Sequence, residues 1–292
     1  MSKILWTLAS FTVISSQLLA MPIEEEQVWE MPVEEEVMVS GKAFSPFRVE
    51  LGYAAGKFIG IDRNYWEFGT FLPFSSEYYT FLLDGKGYRF EDDRWGASIG
   101  IGVRVPISCS QLGLNTFYDY LEGSSRKSLD RIGFGLEWLG RFCDARANFY
   151  FPIRETGHSG EKVYHYQGGY IAKCNHTEYA IARGFDAEIG ARLGCYRNLR
   201  LYGAAGPYYF SHKDFSKFWG GYARLTLDWN SLASLEVRAS YDRVYDTQVQ
   251  ALIRFSIPLG CGYACCLEEP TRPIYRNGVI FTRGCCDYEW NW

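Results

Sequence analysis

Residues able to bind a metal crowd one stretch of the chain: His158, His165, Cys174 and His176. Imidazole and thiolate are zinc ligands, and Cys174-x-His176 with two further histidines supplies four donors. Their spacing matches no compact zinc motif, and short motifs of this kind often arise by chance. The stretch therefore reads as a histidine-rich surface segment, with no metal and no other cofactor expected. Nucleophilic catalysis would need a base held against a hydroxyl or thiol and oriented by a third group. His158 and Ser159 are neighbours in sequence, which does not create that hydrogen bond. All four histidines, His212 included, fall in expected loops, so no catalytic residue is expected.

The cysteines form the second set. There are nine: Cys109, Cys143, Cys174, Cys195, Cys261, Cys265, Cys266, Cys285 and Cys286. An odd number cannot all pair within one chain. The adjacent pairs Cys265-Cys266 and Cys285-Cys286 rarely bridge internally, because the required geometry is strained. Apart from Cys174, these cysteines are candidates for disulfides. Two readings stay open: covalent links to cysteine-rich envelope proteins, or bridges within the chain that stiffen turns and tail.

The chain of 292 residues carries 17% aromatic and 22% charged residues and a net charge of -4. That balance gives no basic surface for nucleic acid. Residues 1–20 read as a secretory signal, with Lys3 before the apolar run Ile4–Ala20. Export makes disulfides permissible. Residues 21–44 form an acidic leader, with Met-Pro-Ile-Glu-Glu-Glu at 21–26 repeated as Met-Pro-Val-Glu-Glu-Glu at 31–36. Such a segment cannot bury a core and reads as solvated. No later stretch has the roughly 18 apolar residues of a spanning helix.

From residue 45 every second residue is apolar. Trp95, Ala97, Ile99, Ile101, Val103 and Val105 alternate with Gly96, Ser98, Gly100, Gly102 and Arg104. Side chains alternate across a strand, so this pattern gives one apolar wall and one small or polar wall. The pattern predicts twelve strands: 47–58, 64–73, 78–89, 94–106, 110–121, 130–140, 143–153, 184–194, 198–210, 218–229, 233–243 and 247–258. A soluble sandwich would alternate too. Strands of about 10 to 13 residues suit a tilted membrane crossing better. So do the rings at strand ends, Trp66, Trp95, Trp138, Trp219, Trp229, Tyr118, Tyr120 and Tyr241, which match interfacial girdles. The expected fold is all-β: an up-and-down antiparallel transmembrane barrel over 45–258 in a bacterial outer membrane, contacting its lipid. Short connections such as Arg141–Phe142 would lie in the periplasm with the N-terminus, and the long loop 154–183 outside. Cys109, Cys143, Cys195, Cys261, Cys265 and Cys266 would then share the periplasmic side.

The polar wall carries Arg104, Asp119, Arg146, Glu188, Arg192, Arg224, Asp228, Glu236, Arg238, Asp242 and Arg254. Charges of both signs in a lumen either tune ion passage or pair and hold the barrel closed. Pairing is the favoured expectation.

Several segments, in order, resemble the inverse autotransporter β-domain, the twelve-stranded translocator of intimin and invasin. They are Gly100-Ile-Gly-Val-Arg104, Leu112-Gly-Leu-Asn-Thr-Phe-Tyr-Asp-Tyr120, Arg131-Ile-Gly-Phe-Gly-Leu-Glu-Trp-Leu-Gly140, Arg146-Ala-Asn-Phe-Tyr-Phe-Pro152, Ala182-Arg-Gly-Phe-Asp-Ala-Glu188 and Tyr241-Asp242. The likeness runs from 47 to 283, and Arg272-Pro-Ile-Tyr-Arg-Asn-Gly-Val-Ile-Phe281 is similar to the segment after the last strand of such barrels. The resemblance implies a periplasmic N-terminus, insertion by the β-barrel assembly machinery, and a segment threading the pore to carry an adhesive passenger outward. Nine residues come after Arg283 and the acidic repeat precedes the barrel. The expectation is thus a barrel reduced to its membrane part, a structural or surface-exposed envelope protein or adhesin remnant. A host surface is then a candidate partner. The tail 259–292, at roughly 3.3 Å per extended residue, is long enough to thread the pore. Alternatives are a porin-like diffusion pore and a rim-type outer-membrane hydrolase.

Overall fold

A computed structural model describes residues 47–123, 128–154, 156–165, 171–181, 183–212, 215–259 and 272–291. The signal peptide and acidic leader expected before the barrel lie outside the described residues, as do Cys261, Cys265 and Cys266.

Twelve antiparallel strands close into a barrel. In chain order they are β1 (Phe47–Gly56), β2 (Tyr65–Ser75), β3 (Thr80–Phe90), β4 (Trp95–Ile107), β5 (Ser110–Glu122), β6 (Ser128–Leu139) and β7 (Cys143–Arg154), then β10 (Arg183–Tyr196), β11 (Leu199–His212), β12 (Phe215–Trp229), β13 (Ala233–Asp242) and β14 (Asp246–Leu259). Closure comes from β1 on β14, with Phe47 opposite Leu259 and Gly56 opposite Gln250. Closing the sheet removes its two edges, whose unpaired amides could not be satisfied in lipid. The remaining strands, β8 (Thr156–His165), β9 (Ile171–Ile181) and β15 (Phe281–Asn291), form a separate sheet in the order β15-β9-β8.

The alternation sorts residues as a membrane barrel needs. Outward-facing Ile99, Leu114, Phe134, Phe151, Val249 and Phe255 are exposed, while inward-facing Glu137, Asp144, Glu188 and Arg238 are buried. The apolar surface is outside and the charge inside, the reverse of a soluble core. The end of the barrel where β1 begins and β14 finishes is the near end. Exposed Trp138 and Trp229 mark it, and Trp66, Trp95, Trp219 and Tyr241 mark the far end. Near-end turns are tight. Asn230 and Ser231 both take positive φ, and Leu232 N donates to Trp229 O at 3.0 Å. That is a type I′ turn, whose twist matches the hairpin it joins.

Two expectations change. Residues 154–183 are not a loop but carry the hairpin β8–β9 beyond the far end, so His158 and His165 lie on β8 and His176 on β9. His212 likewise closes β11, opposite Phe215. The sequences Thr156–His165 and Ile171–Ile181 lack the sustained two-residue apolar period that signals a strand.

Candidate functional site

The barrel interior is the site, and the chain's own C-terminal segment fills it. Arg272 lies near the near end, where its carbonyl accepts from Arg104 Nη1 at 2.6 Å and its guanidinium meets Asp144 at 3.2 Å. Ile274 packs with Phe71, Leu82 and Phe117 in a small apolar pocket. Tyr275 donates to Glu236 at 3.1 Å, and Arg224 stacks on its ring at 3.5 Å. Arg276 reaches both oxygens of Asp119, at 2.7 and 2.5 Å. Asn277 donates to Tyr150 Oη at 3.1 Å through its backbone and to Asp186 at 3.1 Å through its side chain. Val279, Ile280 and Phe281 then join the apolar cluster at the far end. The segment therefore runs from near end to far end and continues into β15, which pairs with β9 from Phe281 opposite Ile181 to Asn291 opposite Ile171.

Glycines on the wall and on the threaded segment make the passage. A Cβ on Gly133 would come within 2.8 Å of Arg276 Nη2, and one on Gly278 within 2.4 Å of Tyr88 Oη. The far end is sealed as well. The β1–β2 connection turns inward, burying Phe58, Ile59 and Ile61. Gly60 N there donates to Gln248 at 3.0 Å. Arg238 lies 4.1 Å over the Phe58 ring.

Most of the inner-wall charges chosen from the sequence are paired or hydrogen-bonded, which offsets the cost of burying them. Asp119, 0% exposed, also binds Arg131 at 2.8 Å and Ser98 at 2.7 Å. Arg104 meets Glu137 at 2.7 Å. Arg146 and Arg224 share Glu188, each at 2.8 Å. Arg254 meets Glu67 at 3.0 Å, and Arg238 donates to Gln250 at 2.9 Å. Asp242 accepts from Tyr208 Oη at 2.6 Å, and Asp228 pairs with Arg200 at 3.1 Å. Arg192 sits at the near mouth with an exposed side chain. Each charge chosen from the sequence thus faces the lumen or its mouth. Arg131, Glu137, Asp144 and Asp186 belong to the same network, and alternation alone places them on that wall.

Cys109, Cys143 and Cys195 are exposed at the near end and form no disulfide. Cys285 lies opposite Thr177 and Cys286 opposite His176 in the β15–β9 ladder, with Cys174 opposite Tyr288. Among the described residues no group of three or more His, Cys, Asp or Glu could hold a metal.

A closed antiparallel barrel with an apolar belt, two aromatic rims and a threaded charged interior defines a bacterial outer-membrane barrel. Within that class, the family model for the inverse autotransporter, beta-domain, matches residues 43–261, and the chain belongs to that family. Among solved structures, a chain from work on in-meso crystallization of membrane proteins shares 18% identity and a TM-score of 0.55, covering 82% of this chain and 100% of its own. The KdgM porin gives 8% identity and a TM-score of 0.45 over 72% of this chain and 99% of its own. The beta domain of the Bordetella autotransporter BrkA gives 12% and 0.37 over 73% and 99%. No curated protein sequence matches the chain.

Proposed function

We propose that the protein is a closed, non-enzymatic barrel of the translocator type that delivers its own C-terminal strand to the cell surface. The N-terminus and near end would face the periplasm, and the β8–β9–β15 sheet would stand outside as a structural or adhesive element. The observation that carries this reading is the course of residues 272–281, which enter at the near end, pair with the wall and join a strand beyond the far end. Family membership supports insertion by the β-barrel assembly machinery. A diffusion pore is disfavoured because the charges that would line a channel are engaged with one another and with the tail. A hydrolase is disfavoured because Asp119, Glu137 and Glu188 of the interior are held in ion pairs with arginine.

Conductance in planar bilayers tests the proposal. The full chain should hold a low-current state, and removal of residues 259–292 should open a channel. A full chain that conducts as well as the truncated one would support the diffusion pore. Hydrolytic activity lost on His158→Ala would support the rim enzyme instead.

A further inference from the structure

Among the described residues the far end is closed by the inward β1–β2 connection, and the near end is hollow. A cavity of about 580 Å³ opens there, with Pro273 and Tyr275 of the threaded segment as its floor. One water needs only ~10–15 Å³ of such space, so the cavity is sized for a ligand. Eight arginines and four carboxylates line it. Several of those arginines are spoken for: Arg146 and Arg224 by Glu188, Arg200 by Asp228, Arg254 by Glu67 and Arg272 by Asp144. Arg48, the second residue of β1, is different. It is 6% exposed, its buried Nε has no hydrogen-bond partner, and it makes no ion pair among the described residues. Glu50 and Asp228 attract it only through space, and burying a guanidinium without a bonded anion is costly, so the cavity beside it is where such an anion belongs.

We propose that this cavity is an anion-binding site at the near mouth, with Arg48 as its anchor and a phosphate-bearing solute as its ligand. Guanidinium groups fork onto phosphate oxygens with two parallel hydrogen bonds, which favours phosphate over a chloride-sized ion. Arg192, Arg141 and Phe142 form the outer lip, and Tyr202 closes the inner side. With Glu188 and Glu67 counted, eight arginines face six carboxylates, an excess that suits a ligand with about two negative charges, and the volume suits a diphosphate or a phosphorylated sugar. The site lies on the lumen face, so the barrel wall screens it from lipid and the ligand must arrive from solution at the near end. Binding of this kind does not depend on which way the barrel is oriented in the membrane.

Calorimetric titration of the full detergent-solubilised chain with inorganic pyrophosphate is the test. The expected result is saturable binding at one site, weakened roughly tenfold or more in Arg48→Gln, which is ~1.4 kcal/mol. Arg63→Gln changes an arginine that pairs with Asp92 outside this cavity, and it should bind as the parent does. Heat-modifiable gel mobility checks that both variants keep the folded barrel. Citrate, with carboxylates in place of phosphates, should bind more weakly. No saturable binding by the parent chain, equal loss in both variants, or citrate binding as tight as pyrophosphate would each overturn the assignment.

Discussion

At Asp119 three buried donors converge: Arg276 from the tail, Arg131 from β6 and Ser98 from β4. The carboxylate is shared by both arginines, and one of them belongs to the segment that must stay in place. Removing one partner of a buried ion pair typically costs about 3–5 kcal/mol. Asp119→Asn keeps the shape but withdraws the charge, so Arg276 loses its reason to stay inside. Limited proteolysis should then cleave within the tail while the strands resist; a variant as resistant as the parent would show that Asp119 does not retain the tail. Gly133→Leu tests the same contact from the steric side. Its side chain would take the space of the Arg276 guanidinium, 2.8 Å from a Cβ at that position. Bilayer current should rise in this variant with the barrel still folded. These residues were partly legible: alternation on β5 puts Asp119 on the inner wall. The role of Arg276 was not legible, because 272–280 has no period and its partners lie more than a hundred residues away in sequence.

Among elements, the barrel strands were readable because each must hide one face in lipid and turn the other to a charged lumen, which forces a two-residue period. Their ends were less so. The last strand pairs begin and stop according to turn geometry, and β6 starts at Ser128 and β12 at Phe215, earlier than the apolar period does. The sheet beyond the far end escaped because its ladder joins distant segments, β15 to β9. Within it, β9 is paired on both sides. A proline there removes an amide donor that a central strand cannot spare. Thr177→Pro should therefore expose 281–291 to protease without changing the heat-modifiable mobility of the barrel. Unchanged resistance would argue that the tail is held by its lumen contacts alone.

At the scale of the molecule the two ends differ among the described residues: a closed far end with an added sheet, and an open near end ringed by Cys109, Cys143 and Cys195. Those thiols do not suit bridges to one another. Cys143 lies opposite Ala191, while Cys195 is four residues further along β10. At ~3.3 Å per residue this exceeds the ~7 Å that a disulfide spans. Cys109, in the turn before β5, is separated from β7 by β6. Links to other proteins remain open to them, and non-reducing electrophoresis of native envelopes should show species larger than the 33.5 kDa chain. A purely monomeric band would rule such links out. If the near end is periplasmic, a membrane-impermeant maleimide should label Cys109, Cys143 and Cys195 only after the outer membrane is permeabilised. Labelling in intact cells would reverse the orientation.

If the near end faces the periplasm, a tail that crosses the membrane inside its own barrel ends outside the cell, so the most direct measurement is the location of that end. An epitope placed after Trp292 should be stained by antibody on intact cells, with staining lost when residues 272–281 are replaced by a flexible Gly-Ser segment lacking the lumen contacts. An epitope that becomes visible only after permeabilisation, in a chain whose barrel is folded in the outer membrane, would contradict a threaded, outward-directed tail.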